Sequence, residues 1–137
     1  MKLLVDTNVF LDYFLKRERF EEANDFFNWC WKYRNQIYVT SISLRDIGYV
    51  ARHKLHNEKL SRRIQNSVYR ICFKVIGVSA DAAIDSIFNN RHEYEDSLQI
   101  CSANEHLLDG IVTNNVKDFK DSEIPIFTPK QLAEIPL

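Results

Sequence analysis

The sequence predicts an α/β fold with one central, mostly parallel sheet of four to five strands and helices on both faces. Short apolar or β-branched runs of strand length recur at residues 3–5, 36–40, 74–78, 110–113 and 125–127. Longer segments with helical apolar spacing lie between them, and such alternation argues a parallel sheet with crossover helices. Right-handed crossovers then bring the carboxyl ends of the strands to one edge, where open α/β sheets bind their ligands. Three strand exits are polar there: Asp6, Thr40-Ser41 and Asn114-Asn115.

Taken in order, residues 3–5 are a buried strand, and Thr7 or Asn8 is placed to cap a helix through Val9, Phe10, Leu11, Tyr13, Phe14 and Leu15. Residues 16–19 read as a solvated joint. Residues 20–33 repeat Phe20, Ala23, Phe27, Cys30 and Trp31 near helical spacing, with Phe26 and Trp29 widening the apolar stripe. After the strand Gln36–Thr40, Ser41 or Ser43 is the expected cap of a helix over residues 44–56. Asp46 then falls in its first turn, with Ile47, Val50, Ala51 and Leu55 inward.

A further helix over residues 59–73 carries Leu60, Ile64, Val68, Ile71 and Cys72, and residues 74–78 form the third strand. Ser79 caps a helix through Ala82, Ala83 and Ile87, and residues 89–92 are a loop. Residues 93–108 are helical, with Tyr94, Leu98, Cys101 and Leu108 inward and Ile100, Ala103 and Leu107 flanking. After the fourth and fifth strands, Thr128-Pro129-Lys130-Gln131 is a complete helix start, with Thr as cap, Pro at the first position and Gln at the third.

The 137 residues suit a single domain spanning 1–137. Eighteen Lys and Arg against nineteen Asp and Glu leave a net charge of −1, so no whole-molecule field draws in nucleic acid or membrane. Any polyanion site must be a local patch. Cys30, Cys72 and Cys101 are odd in number, far apart and among apolar neighbours, as expected of reduced thiols in a cytoplasmic protein. Neither a signal peptide nor a membrane-spanning run is expected.

Asp6, Asp46 and Asp96 come from separate elements, yet the topology directs each toward the same rim, and Asp118 follows the fourth strand closely. Carboxylates gathered at one place raise each other's pKa unless a cation compensates. Hard oxygen ligands favour Mg²⁺ or Mn²⁺, which can activate water and neutralise a phosphate during in-line attack. Each acid also has an ordinary role open to it, as a cap or a helix-dipole residue. Asp12, Asp25, Asp81 and Asp85 read as solvent-facing helix acids. The helix pair beside Asp46 carries Arg45, Arg52, His53, Lys54, His56, Lys59, Arg62 and Arg63. Arg45, Arg52, Lys54, Lys59 and Arg62 are the candidate grips for the backbone phosphates of a polyanion, with an ordinary solvated face as the competing reading.

Four segments match a known family in order: Val5-Asp6-Thr7-Asn8-Val9-Phe10-Leu11-Asp12, then Thr40-Ser41-Ile42-Ser43-Leu44-Arg45-Asp46, then Glu95-Asp96-Ser97-Leu98-Gln99, then residues 111–119. With them the chain resembles a PIN-domain ribonuclease, and more narrowly the VapC-like toxins of toxin–antitoxin pairs. The resemblance implies a Rossmann-like fold and a Mg²⁺- or Mn²⁺-dependent endoribonuclease in which Asp6, Asp46 and Asp96 are catalytic metal ligands. It also implies Thr7, Asn8 and Thr113 as supporting polar residues, a small antitoxin partner and a homodimer. Two departures stand out. Asp46 occupies a position usually held by Glu, one methylene longer, and Asn115 stands where many members carry Asp, leaving Asn115 and Asp118 as candidates for the fourth corner.

A second reading, favoured by Asn115, is a PIN-like RNA- or protein-binding module with weak or no catalysis. Receiver and haloacid-dehalogenase-type phosphatase folds also gather acids at strand ends. The latter needs an Asp two residues after Asp6, where Asn8 stands.

Overall fold

The computed structural model describes residues 1–136, so the span expected for a single domain ends one residue beyond it. Five strands form one sheet: β1 (Lys2–Val5), β2 (Gln36–Thr40), β3 (Lys74–Ile76), β4 (Gly110–Val112) and β5 (Ile126–Phe127). Their spatial order is β3-β2-β1-β4-β5, and every pairing is parallel. The chain builds outward from β1 to β3 on one side, then crosses to β4 on the other. The reversal beside β1 opens a crevice at the carboxyl ends of β1 and β4.

Strand alternation divides the core between two faces. Leu3, Val5, Ile37, Val39 and Val112 pack with helices α1 (Thr7–Phe14), α2 (Phe20–Lys32), α3 (Ser41–Leu55), α4 (Glu58–Ile71) and α7 (Pro129–Ala133). Leu4, Tyr38, Ile76 and Ile111 face the other way onto Ile100 and Ala103 of α6 (Tyr94–Glu105), whose helix packs in turn on α5 (Ala80–Phe88). Helices on both faces and a sheet of the expected strand number follow from this division.

Several element boundaries shift, each for a local reason. α1 begins at Thr7, with Asp6 at the capping position but no side-chain cap, so Thr7 and Asn8 lie inside the helix. α3 begins at Ser41 because Thr40 caps it, its Oγ1 accepting from the Ser43 N–H at 3.0 Å. Asp46 therefore sits in the second turn of α3, not the first. α3 ends at Leu55, where His56 turns into the left-handed region at φ 52°, and Asn57 caps α4. α6 and β3 are shorter than the periodicity suggests. Ser79 caps α5, and α7 carries the full Thr128–Gln131 capping box.

The inward faces also need correction. Trp31 is 87% exposed, whereas Ala23, Phe26, Trp29 and Cys30 are buried. Leu55, Leu60, Ile71, Ile87, Tyr94 and Leu107 are exposed too. Most sit near helix ends, where an apolar stripe runs past the layer it packs against. Asp12, expected toward solvent, is only 5% exposed. Among the described residues no helix is long and apolar enough to cross a membrane.

Phe26 is fully buried, tilted against Phe27 and stacked near Trp29, with centroids 5.3 and 6.3 Å away. Replacing it with Ala removes a large buried ring and leaves a cavity. Phe26→Ala should therefore lower unfolding free energy by about 3–5 kcal/mol in denaturant titrations, with an unchanged denaturant slope.

Candidate functional site

The crevice beside β1 is a cleft of about 440 Å³ lined by Asp6, Asp46, Asp96, Asn115, Gln99 and Tyr49, among others. Each acid arrives on a different element. Asp6 is the first residue past β1, and its N–H donates to the Val112 carbonyl at 2.9 Å, fixing it to the end of the sheet. Asp96 lies in the first turn of α6 and Asp46 in the second turn of α3.

Asp6 is held on both oxygens. Oδ2 accepts from Thr113 Oγ1 at 2.9 Å, and Oδ1 lies 3.5 Å from Gln99 Nε2. The Thr7 backbone N–H donates to the carboxylate as well. Burial nevertheless raises the Asp6 pKa above the ordinary carboxylate value, the Thr113 and Thr7 hydrogen bonds oppose the rise, and Asp118 and Asp12 add to it. Burial likewise lifts Asp96, to about 6, followed by the charges of Asp118, Asp6, Glu95 and Glu93.

Asp46 behaves differently. It pairs with its neighbour Arg45, Nη1 to Oδ1 at 2.9 Å, and contributes to neither shift. Among the described residues, no three His, Cys, Asp or Glu side chains lie close enough together to ligate one ion. Asp6 and Asp96 have no Lys or Arg within ion-pair distance among those residues. Two hard carboxylates without a cationic partner fit Mg²⁺ or Mn²⁺, which commonly takes one or two carboxylates and keeps several waters.

At the fourth corner, Asn115 lines the cleft, whereas Asp118 sits on the 3-10 turn Val116–Phe119 and lines the neighbouring groove with Asp96. Asp118 is the one whose charge reaches both Asp6 and Asp96. Thr113 contacts Asp6 through its hydroxyl, and Thr7 contacts it through its backbone. The Thr7 hydroxyl instead donates to Ser43 Oγ at 2.8 Å. Asn8 also lines the cleft, and its Oδ1 accepts from Arg17 Nη2 at 3.1 Å.

Sequence reasoning passed over two polar residues of the site and the partners of a third carboxylate beside it. Gln99 is 8% exposed and donates to Ser43 Oγ at 3.1 Å, while its buried Oε1 has no partner among the described residues. Its spacing of three from Asp96 was the available signal, since the two share a helix face. Ser43, read only as a cap, joins Thr7 to Gln99 across α1, α3 and α6. Asp12 is that carboxylate. Arg17 Nε donates to its Oδ1 at 2.9 Å and Asn114 Nδ2 to its Oδ2 at 3.2 Å, so the joint over residues 16–19 is not merely solvated.

Of the candidate RNA grips, Arg45, Arg52 and Arg62 line a second groove of about 410 Å³ that shares Arg45 and Tyr49 with the acidic cleft. Lys54 and Lys59 are exposed and line neither. Burial pushes the Cys30 and Cys72 thiols up to about 12, which removes them as nucleophiles at neutral pH.

Two outcomes follow. The raised Asp96 pKa means that the metal-free protein binds more protons than its unfolded chain across about pH 4 to 6. Stability should fall as pH rises through that window, and thermal melts of metal-free Asp96→Asn should show a shallower fall and a higher melting temperature at neutral pH. Arg17→Ala strands a buried carboxylate and should cost about 1–3 kcal/mol, discounted for the partial exposure of Arg17, whereas Arg17→Ala in an Asp12→Asn background should cost less.

Comparison with known proteins agrees with this geometry. Among curated proteins none matches the chain. Among solved structures, VapBC2 from Rickettsia felis bound to a promoter DNA fragment is 19% identical, with a TM-score of 0.69 over 93% of this chain and 98% of that one. A toxin–antitoxin complex from Klebsiella pneumoniae is 24% identical, with a TM-score of 0.67 over 93% and 97%. The sarcin-ricin-loop-cleaving toxin VapC20 of Mycobacterium tuberculosis is 11% identical, with a TM-score of 0.62 over 80% and 86%. At these identities the likeness is one of fold. The sequence profile of the PIN domain matches residues 2–117, most of the chain. With that match and a parallel sheet that brings Asp6, Asp46 and Asp96 to one cleft, the chain belongs to the PIN-domain family.

Proposed function

We propose that the chain is a divalent-metal-dependent endoribonuclease, the toxin of a type II toxin–antitoxin pair, acting as a single domain in the cytoplasm. The observation that carries this reading is that Asp6 and Asp96, both partly buried, share the cleft at the switch point of a PIN-family sheet and have no cationic partner among the described residues. Asp6, Asp46 and Asp96 are the proposed catalytic residues and ligands of Mg²⁺ or Mn²⁺, with Asn115 and Asp118 as candidates for the remaining corner. Such an ion, when bound, supplies Lewis acidity to an attacking water and neutralises charge on the scissile phosphate.

The chain's own groups have separable tasks. Thr113 and the Thr7 N–H hold Asp6 in one orientation, and Gln99 stands behind it on the Ser43–Thr7 hydrogen-bond chain. Arg45 sits on the rim, where a phosphate can exchange for Asp46 as its partner and leave Asp46 free to turn into the cleft. Arg52 and Arg62 continue the cationic wall as phosphate grips, with Lys54 and Lys59 outlying. The structurally similar complexes that pair a toxin with an antitoxin support an antitoxin as partner. A homodimer remains part of the proposal.

One observation favours the second reading of a weakly active or inactive binding module. Asn115 supplies no charge, and Asp46 is engaged by Arg45. RNA cleavage by purified protein separates the two. Asp6→Asn or Asp96→Asn should reduce cleavage by more than the roughly 100-fold typical of losing a supporting contact. Chelator should stop the reaction and Mg²⁺ or Mn²⁺ restore it, and Mn²⁺ should raise the melting temperature of wild type but not of the variants. Cleavage that persists in chelator sinks the metal mechanism. RNA binding with no turnover at any metal concentration establishes the binding module instead.

A further inference from the structure

We propose that Tyr49 is a stacking platform for an unpaired base of the bound strand beside the acidic cleft. The inference deepens the nuclease reading and rests on it for the nature of the polymer. Tyr49 lies on the outer face of α3 and is 50% exposed, although Ile47, Gly48 and Ala51 beside it are buried. It is common to both grooves, with the acids on one side and Arg52 and Arg62 on the other.

The residues around the ring are cationic or aromatic. The Arg45 and Arg52 guanidinium carbons lie 5.8 and 5.9 Å from its centroid, and the His53 ring centroid lies 4.3 Å away. Helical spacing of four, three and four residues places all three against it. Lys54 is turned away, about 140° round the helix from Tyr49. The acids at this surface are already paired. Asp46 accepts from Arg45, and Glu58 lies 3.7 Å from Arg52 and 3.1 Å from Arg62.

A half-exposed tyrosine ring with arginines over it suits single-stranded nucleic acid, whose phosphates draw the cations while a base takes their place on the ring. A strand crossing Tyr49 places one phosphate among the acids and its neighbours along Arg52 and Arg62. A-form duplex keeps its bases stacked on one another and offers none to the ring. An acidic peptide satisfies the arginines but makes no use of the ring.

The test uses wild-type protein in chelator and a single-stranded RNA of about 12 nucleotides carrying 2-aminopurine, read by anisotropy and by base fluorescence. Binding should quench the base. Tyr49→Leu, which keeps apolar bulk without a π face, should weaken binding roughly tenfold and abolish the quench, while Tyr49→Trp retains both. The blunt duplex of the same sequence should bind more weakly and ignore the substitution. Equal affinity and quenching in Tyr49→Leu overturn the proposal, as does equal affinity for duplex and single strand. Unchanged RNA binding with lost binding of polyglutamate in Tyr49→Leu assigns the face to an acidic protein and overturns it too. Cleavage by wild type in Mn²⁺ is scored separately: if it is absent while RNA binding depends on Tyr49, only the nuclease reading falls.

Discussion

The constraint on which the site depends is the burial of one carboxylate at the end of the central strand. Asp6 follows three fully buried residues, and water cannot solvate its charge freely there. A buried charge is tolerable only when donors or an opposite charge meet it. Thr113 arrives from the end of the adjacent strand, Gln99 from α6 and the Thr7 N–H from α1, while Ser43 from α3 supports Gln99 and Thr7. Much of the sheet order serves this convergence, because β1 must lie between β2 and β4 for those groups to reach one side chain.

The chain handles its acids in two ways. Asp12 is as buried as a core residue, yet Arg17 and Asn114 satisfy both oxygens, which makes it a structural charge. Asp6 and Asp96 have neighbours that raise their pKa values and, among the described residues, no arginine or lysine within ion-pair distance. Under the proposed nuclease reading, the difference between holding the fold and doing chemistry lies in the partners of each carboxylate. Asp46 stands between the two conditions, on the rim with Arg45.

The layout was legible in the sequence wherever a local pattern reported a local cause. β-branched runs marked the strands, and the Thr128–Gln131 capping box and the Ser79 cap have the expected geometry. The three acids could be directed to one edge because parallel topology leaves few alternatives. What stayed hidden depended on partners distant in sequence. Nothing near Asp12 indicates that Asn114 will cover it, and Trp31 keeps helical spacing although no layer packs over it. Gln99 looks like any polar helix residue until α3 places Ser43 beside it. The start of α3 moved because Thr40, at the end of a strand, was able to serve as a cap.

The sequence separation of the bonds on Asp6 bears on how the protein is made. Gln99 lies 93 positions after Asp6 and Thr113 lies 107 after it. Closing so long a loop is entropically costly and slow, and no nascent chain ending before β4 supplies the Thr113 hydroxyl or the sheet edge that orders Asp6. During synthesis, β1, β2 and β3 can pair while the carboxylate end of β1 still lacks a neighbour on one side. Assembly of the cleft is therefore a late folding event that waits for nearly the whole chain, and incomplete products carry the acids without their arrangement.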